Sequence, residues 1–274
     1  MGRIDFLKGV SMITAISRCR ILRFRRDRVE TAEDVVAVEY PVEIHVNKQL
    51  LAVLHATPRD LDALAIGYLM TEGFVRSLDE ILDIRVEDGK VYVRVSETVD
   101  DRIRIRKAWV VKPVCGGLPG RSLSLLDRIS NLKVDSDARW SYKEILNTIK
   151  MLNTNAALYR KTGGVHATLL VDARGLKLLK EDVGRHNAVD KVVGSYVLKG
   201  FEDFGRVFLA CSGRLSSEIV LKAARVGIPL LASISAPTSL GVALAERFAV
   251  TLVGFVRGLR FNIYSYPERI IFHS

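Results

Sequence analysis

At 274 residues, 49% hydrophobic and 26% charged, the chain can bury a sizeable core and has the composition of an ordered soluble protein, which excludes a disordered one. No run approaches the roughly 20 uninterrupted apolar residues of a membrane helix. Lys8 and Ser11 break the apolar N-terminal stretch, and an arginine cluster stands where a secretion signal would need its cleavage site, so a cytoplasmic protein is expected.

In chain order, residues 1–30 read first as a basic arm. Within 1–28, Arg3, Lys8, Arg18, Arg20, Arg23, Arg25, Arg26 and Arg28 stand against Asp5 and Asp27, which is more than half of the formal charge of +10. Such an arm suits a polyanion (nucleic acid, or a ligand with several phosphates) and equally reads as a solvated tail. From Val35, "VVAVEY", "VEIHVN" and "LLAVLHA" predict short strands separated by Pro41 and Asn47-Lys48-Gln49. Pro58 opens a helix in which Leu61, Leu64, Ala65, Tyr68 and Leu69 recur at helical spacing until Gly73. "ILDIRVEDGKVYVRV" predicts a hairpin across Asp88-Gly89, and the alternation of "RIRIRKAWVV" predicts a strand with one wet face. Residues 31–111 are therefore expected to form a small α+β domain.

Residues 112–274 are expected to form an α/β domain. Ser141 and Glu144 make a capping box, and the helix behind it carries Ile145, Ile149, Leu152, Ala156 and Tyr159 on one face until Gly163-Gly164. "HATLLVD" and "LKLLKED" predict strands joined at Ala173-Arg174-Gly175. A helix near 187–198, strand "RVFLAC", a helix at 215–226, strand "IPLLASIS", a helix near 238–248 and strand "TLVGFV" follow. This alternation, with continuously apolar strands, predicts a mostly parallel sheet covered on both faces.

Ligands of such sheets bind beyond the carboxyl ends of the strands, where loops enter helix N-termini. Ser212-Gly213-Arg214 follows one predicted strand and Ala236-Pro237-Thr238 another. Unpaired N–H groups at helix starts make both candidate phosphate seats, although Ser and Thr there are also ordinary N-caps. Arg257-Gly258-Leu259-Arg260 fits either a pyrophosphate grip or a hairpin turn with solvated arginines. "EDVGRHNAVDK" packs Glu181, Asp182, Arg185, His186, Asp190 and Lys191 around Gly184. That cluster suits orienting a proton-transfer histidine, or holding an anion against Arg185 and Lys191.

The three cysteines, Cys19, Cys115 and Cys211, are an odd number, lie far apart and include no Cys-x-x-Cys pair, so neither a disulfide framework nor a structural zinc site is expected. "VCGGLPG" at 114–120 sets Cys115 among glycines, with Lys112 and Arg121 nearby to favour a thiolate, as a persulfide carrier requires. Cys211, at the end of an apolar strand, reads as core. His166 invites comparison with zinc deaminases. Those need a His-x-Glu, where this chain has Thr168, and a Pro-Cys-x-x-Cys, of which Pro113, Cys115 and Leu118 supply at best half. Zinc and deamination are not expected.

Several long segments resemble one family. "EDVGRHNAVDKVVG", the run from Ser212 to Gly258 and "RFNIYSYPERI", with "EDVVAVEYPVEIHVN" and "LDALAIGYLMTEGFV" in the N-terminal half, are similar in order and register to the formate dehydrogenase accessory sulfurtransferase family (FdhD). The resemblance covers about 31–271. It implies a larger domain with a cytidine-deaminase-like three-layer fold, without deaminase activity, and a homodimer. It also implies a function: taking persulfide sulfur from a cysteine desulfurase and passing it to the molybdenum or tungsten bis-molybdopterin guanine dinucleotide cofactor before insertion into the formate dehydrogenase catalytic subunit. A guanine nucleotide would then mimic part of that cofactor. Carried over by position, Cys115 becomes the persulfide site. Phe255, Val256, Arg257, Gly258, Leu259 and Arg260 become the cofactor-binding segment. The switch-point loops and Arg185 and His186, read from the chain's own pattern, are expected to join it. The family's loop usually reads Cys-Gly-x-Cys-Gly, and Leu118 occupies the second cysteine's place. The alternative reading is therefore a chaperone that binds the cofactor without moving sulfur. Neither a membrane nor nucleic acid is an expected partner.

Overall fold

A computed structural model of the protein describes residues 14–107 and 132–272. The chain opens with strands β1 (Ile16–Arg25) and β2 (Arg28–Ala37), which pair antiparallel as a hairpin. Much of the arm expected from the arginine run is thus strand. Its turn, Arg26-Asp27, holds both residues at positive φ (47° and 63°), as a tight two-residue hairpin turn requires. Strands β3 (Tyr40–Val46), β4 (Gln49–Ala56), β5 (Ile81–Glu87) and β6 (Lys90–Val95) form a four-stranded sheet in the order β4-β3-β6-β5. The β5–β6 turn falls at Asp88-Gly89, as its sequence predicts.

Helix α1 (Leu61–Thr71) is buried on nearly every side, because it is sandwiched between this sheet and a later helix, α5 (Arg185–Leu198). The helices cross at glycines. A Cβ on Gly67 would overlap the Asp190 carbonyl, and one on Gly194 the Ala63 carbonyl, so only glycine permits this approach.

Residues 97–107 correct an expectation. "RIRIRK" belongs to helix α2 (Glu97–Lys107), not to a strand. Val99 and Ile103, four apart, are both buried, while Arg102 grips Glu80 through two bonds of 2.9 and 3.0 Å and the Phe74 carbonyl at 2.9 Å. The i, i+4 face outweighs the local Arg/Ile alternation.

After the short strand β7 (Trp140–Ser141), helix α3 (Tyr142–Asn155) begins on the expected capping box, and both of its bonds form. The expected continuous helix to Gly163 instead breaks at Ala156, and α4 (Ala157–Thr162) starts anew. The Glu181 carboxylate accepts from Leu158 N (3.0 Å) and Tyr159 N (2.7 Å), fixing this second start. Leu158 is buried there and Tyr159 faces solvent.

The second sheet contains β8 (His166–Asp172), β9 (Lys177–Asp182), β10 (Val207–Cys211), β11 (Leu230–Ser233), β12 (Thr251–Arg257) and β13 (Arg260–Ser265), in the order β13-β12-β11-β10-β8-β9. Its centre, β10-β11-β12, is parallel. The flanking strands β8 and β13 run the other way, each hairpinned to its neighbour in sequence. The fold is mixed α/β. Strand β10 shows the layering: Phe208 and Ala210 face one apolar cluster with Ile145, Ile149 and Leu152 of α3, while Leu209 and Cys211 face the other. That second face is covered by α5, α6 (Ser217–Val226) and α7 (Ser239–Arg247), and its apolar cluster continues without a break through α1 to Val42 and Ile44 of the first sheet.

Candidate functional site

Strand direction brings the loops after β9, β10, β11 and β12, and the start of β8, to one edge of the sheet. The register makes this explicit, because His166 lies opposite Asp182 and Thr168 opposite Cys211. Beyond Cys211, Ser212 stitches the edge. Its N–H donates to the Ala167 carbonyl at 2.9 Å, its Oγ accepts from Ala167 N at 2.9 Å, and His166 Nδ1 lies 3.3 Å from that oxygen.

Gly213 is a close-packed point. A Cβ there would sit 3.1 Å from Arg185 Cβ and 3.2 Å from His166 Nδ1, so the missing side chain lets three loops converge. His166, Arg185, Gly213 and Arg214 line a narrow recess, floored by Thr168 and Cys211. Arg185 Nε is buried there without a partner among the described residues, and Ser216 Oγ, at the start of α6, is likewise buried and unpartnered among them. Buried donors of this kind are normally paired, so their partner is expected from beyond the described residues. The His166 pKa is lowered, first by burial and then by Arg185, with smaller effects from His186 and Arg214, which disfavours its protonated form.

The two switch-point loops brace one another. Leu215 N donates to the Ala236 carbonyl and Thr238 N to the Leu215 carbonyl, both at 3.1 Å, beside Pro237. Ser233 Oγ donates to the Cys211 and Gly213 carbonyls at 2.9 and 2.7 Å. Thr238 is an N-cap, its Oγ1 accepting from Gly241 N at 3.1 Å. Ser212 caps no helix, and its side chain ties β10 to β8.

The 255–260 segment adjoins this platform from β12. Phe255 is partly exposed and holds a left-handed backbone (φ 54°) at an irregularity of the strand, its N–H donating to the Ser235 carbonyl at 3.0 Å. Arg257 Nε donates to the Ile234 carbonyl at 3.2 Å, and its guanidinium lies 5.7 Å from the centre of the Phe255 ring. Val256 points into the core. Gly258 and Leu259 make the β12–β13 turn, flanked by the exposed, opposed Arg257 and Arg260. Leu259 and Arg260 stand away from the recess, as a plain hairpin tip would.

The "EDVGRHNAVDK" cluster divides. Arg185 enters the recess, while His186 Nε2 lies 2.9 Å from Glu218 Oε2 on α6. That contact lowers the Glu218 pKa against the opposing effect of burial. Lys191 does not face an anion site, which corrects that expectation. It is wholly buried, 2.6 Å from Asp182. Asp190 is likewise internal, bonded to Lys222 of α6. His166 joins the site without having been read as part of it. Its signal was its place at the start of β8, which only the antiparallel pairing with β10 turns toward Ser212. Cys115 and Leu118 lie outside the described residues. Of the cysteines within them, Cys19 lies half-buried on β1, and Cys211 is buried, its thiol pushed up to about 12 by desolvation.

A mixed sheet whose strand ends converge on glycine-lined loops defines an α/β protein with a candidate site at its switch point. Comparison with known proteins narrows the class. The FdhD/NarQ family model matches residues 37–271. Sulfur carrier protein FdhD of Sulfolobus acidocaldarius is 39% identical over 257 residues, which cover 93% of this chain and 98% of that protein. Its Bacillus subtilis namesake is 34% identical over 255 residues, covering 91% and 95%. The crystal structure of a candidate formate dehydrogenase accessory protein from Desulfotalea psychrophila superposes with a TM-score of 0.75 at 29% identity, covering 94% of this chain and all of that one. The chain belongs to the FdhD/NarQ family.

Proposed function

We propose that the protein is a sulfur carrier for formate dehydrogenase maturation. The observation that carries this reading is the family match over 37–271, together with relatives of nearly equal length named sulfur carrier proteins. In this reading, Cys115 attacks the terminal sulfur of a cysteine desulfurase persulfide. The donor's S–S bond breaks, a new one forms on Cys115, and the desulfurase thiolate leaves. The acceptor is the molybdenum or tungsten bis-molybdopterin guanine dinucleotide cofactor, bound as substrate before it enters the formate dehydrogenase catalytic subunit.

The chemistry of the recess supports such a substrate. Arg185 Nε and Ser216 Oγ lack partners among the described residues, Gly213 lets the loops close up around them, and a phosphate would be met by Arg185, Arg214 and the first N–H groups of α5 and α6. His166, whose protonated form is disfavoured, adds a donor or acceptor. Phe255 and Arg257 offer a planar, cationic surface for a base. Cys211 is a poor rival to Cys115, since a buried thiol with a pKa of about 12 is a poor nucleophile.

Incubation with a cysteine desulfurase and cysteine, followed by mass analysis of peptides, is expected to show added sulfur on Cys115. Sulfur found solely on Cys19 or Cys211, or nowhere, would falsify the carrier role. Leu118, in place of the family's second cysteine, favours a second reading: a chaperone that holds the cofactor without sulfur transfer. Full rescue of formate dehydrogenase activity in a carrier-deficient strain by Cys115→Ala would establish that reading instead.

A further inference from the structure

The basic run near the N-terminus plays no part in the proposed sulfur transfer, and the fold turns it into a projecting hairpin. Strands β1 and β2 pair with no third strand among the described residues. Their root is anchored where Ala15, Ile16 and Ala37 pack on Leu158, Val165 and Val183. From Ile16 to Arg25 the ribbon then runs about 30 Å, at a strand's rise of roughly 3.3 Å per residue. Its far end is unlike its root. Leu22, Phe24 and Val29 are 75%, 67% and 65% exposed. Phe24 stands directly opposite Val29 in the register and Leu22 lies two residues earlier on the same strand, so alternation puts all three on one face. Three neighbouring large apolar side chains at an exposed end mark a surface that is covered in use.

Charge at the same end selects the partner. Between Phe24 and Val29 the turn carries Arg25, Arg26 and Arg28 against Asp27 alone, all of them exposed. Arg23 and Glu30 oppose each other one pair further back and cancel. The remaining acids of β2, Glu33 and Asp34, lie about 17–20 Å from the turn along the strand, roughly two Debye lengths in physiological salt. An elongated polyanion such as RNA, laid along the ribbon, would cover those acids and leave the apolar face unused. An anionic lipid leaflet meets the end alone. It can take the three apolar side chains into its acyl boundary, to a depth of about 5–10 Å, while the arginines reach its phosphates on their flexible stems. No helix among the described residues is long and apolar enough to cross a membrane, but a hairpin tip resting in one leaflet needs no such helix.

We infer that the end of this hairpin is a docking surface for an anionic phospholipid leaflet, with Leu22, Phe24 and Val29 entering the acyl boundary and Arg25, Arg26 and Arg28 meeting the lipid phosphates. The contact is peripheral, and it does not rest on sulfur transfer.

Flotation of the full chain with lipid vesicles tests it. The wild type is expected to float with vesicles of equal parts phosphatidylglycerol and phosphatidylcholine, less so in high salt, and to stay behind with phosphatidylcholine alone. Phe24→Ser should bind the anionic vesicles about tenfold or more weakly, and Arg26→Gln about fivefold. Glu33→Gln, far from the leaflet, should bind as the wild type does. Phe24→Trp keeps an apolar ring, so it should float normally, and its added fluorescence should be quenched by lipids brominated on their acyl chains, which a misfolded chain would not reproduce. A wild type that floats with neither kind of vesicle, or equally with both, overturns the inference. So does unchanged binding of Phe24→Ser, a loss in Glu33→Gln as large as in Arg26→Gln, or no quenching in Phe24→Trp. Two other occupants would also overturn it: a poly(U) RNA bound in place of vesicles, or a second copy of the chain, seen in light scattering as a two-chain species that Phe24→Ser dissociates.

Discussion

Asp182 and Lys191 meet at 2.6 Å, both wholly withdrawn from solvent, and this pair fastens the Arg185 loop to Thr57, just after β4. Asp182 Oδ1 accepts from Gly184 N (2.8 Å) and Asn187 Nδ2 (2.9 Å), and its Oδ2 accepts from Thr57 N (3.0 Å). Lys191 Nζ donates to the Thr57 carbonyl at 2.7 Å. The loop that positions Arg185 is therefore held by buried charge and not by apolar packing alone.

Removing one partner leaves the other charge buried and unpaired, at a cost of roughly 3–5 kcal/mol. Lys191→Met is expected to lower the unfolding free energy in urea by that amount. Adding Asp182→Asn to it is expected to cost less than the sum of the two single changes. Strictly additive losses would show that the two groups do not act as a pair.

Acid should weaken the protein through a second network. Glu72 lies 2.8 Å from Lys222 Nζ and 3.0 Å from Arg225 Nη1, and Lys222 also reaches Asp190 at 2.9 Å. Burial alone would raise the Glu72 pKa, but Lys222 and Arg225 outweigh it and bring it from 4.5 to about 2. Burial likewise opposes the charge on Lys222, and Asp190 and Glu72 overcome it and raise its pKa. Because the folded pKa of Glu72 is depressed, its contribution is fully present above 4.5 and is lost as pH falls through about 2. Urea midpoints across that window should drop less steeply for Glu72→Gln than for the wild type. Equal slopes would refute the assignment.

Much of this fold is legible because its signals are local. Asp88-Gly89 specifies its own turn, Ser141 and Glu144 their own cap, and the apolar strands β10, β11 and β12 announce a covered sheet. The misread parts depend on what lies across from them. The Arg26-Asp27 turn bears no glycine or asparagine, so the hairpin hides inside an arginine run. Val99 and Ile103 make α2 a helix by burying one face, against an alternation that reads as strand. Lys191 looks like a ligand for anions until Asp182 and Thr57 are seen to enclose it. In the site, Arg185, Ser212 and Gly213 follow from strand-end logic, whereas His166 needs the antiparallel β8–β10 pairing, which no local pattern encodes.

Cys211 should be chemically silent. With its pKa near 12, about one part in 10⁵ of the thiol is ionised at neutral pH. Alkylation of the folded protein with iodoacetamide should leave Cys211 unmodified until denaturant is added, and Cys211→Ala should load sulfur as the wild type does. Rapid native labelling of Cys211, or loss of loading in the alanine variant, would bring this cysteine into the mechanism.

Phe255 separates backbone strain from recognition. A left-handed backbone at a bulky side chain costs on the order of 1–2 kcal/mol, which glycine escapes. Phe255→Ala keeps that strain and deletes the ring, while Phe255→Gly deletes both. Phe255→Gly is therefore expected to be more stable than Phe255→Ala by about 1 kcal/mol in thermal unfolding. If the ring stacks on the base of a guanine dinucleotide, both variants should bind guanosine diphosphate about tenfold or more weakly by calorimetry, since one base–aromatic stack contributes about 1–3 kcal/mol. Unchanged affinity in both variants would mean that the strained conformation serves the Ser235 contact and the strand irregularity alone, and the base would have to be sought elsewhere on the platform.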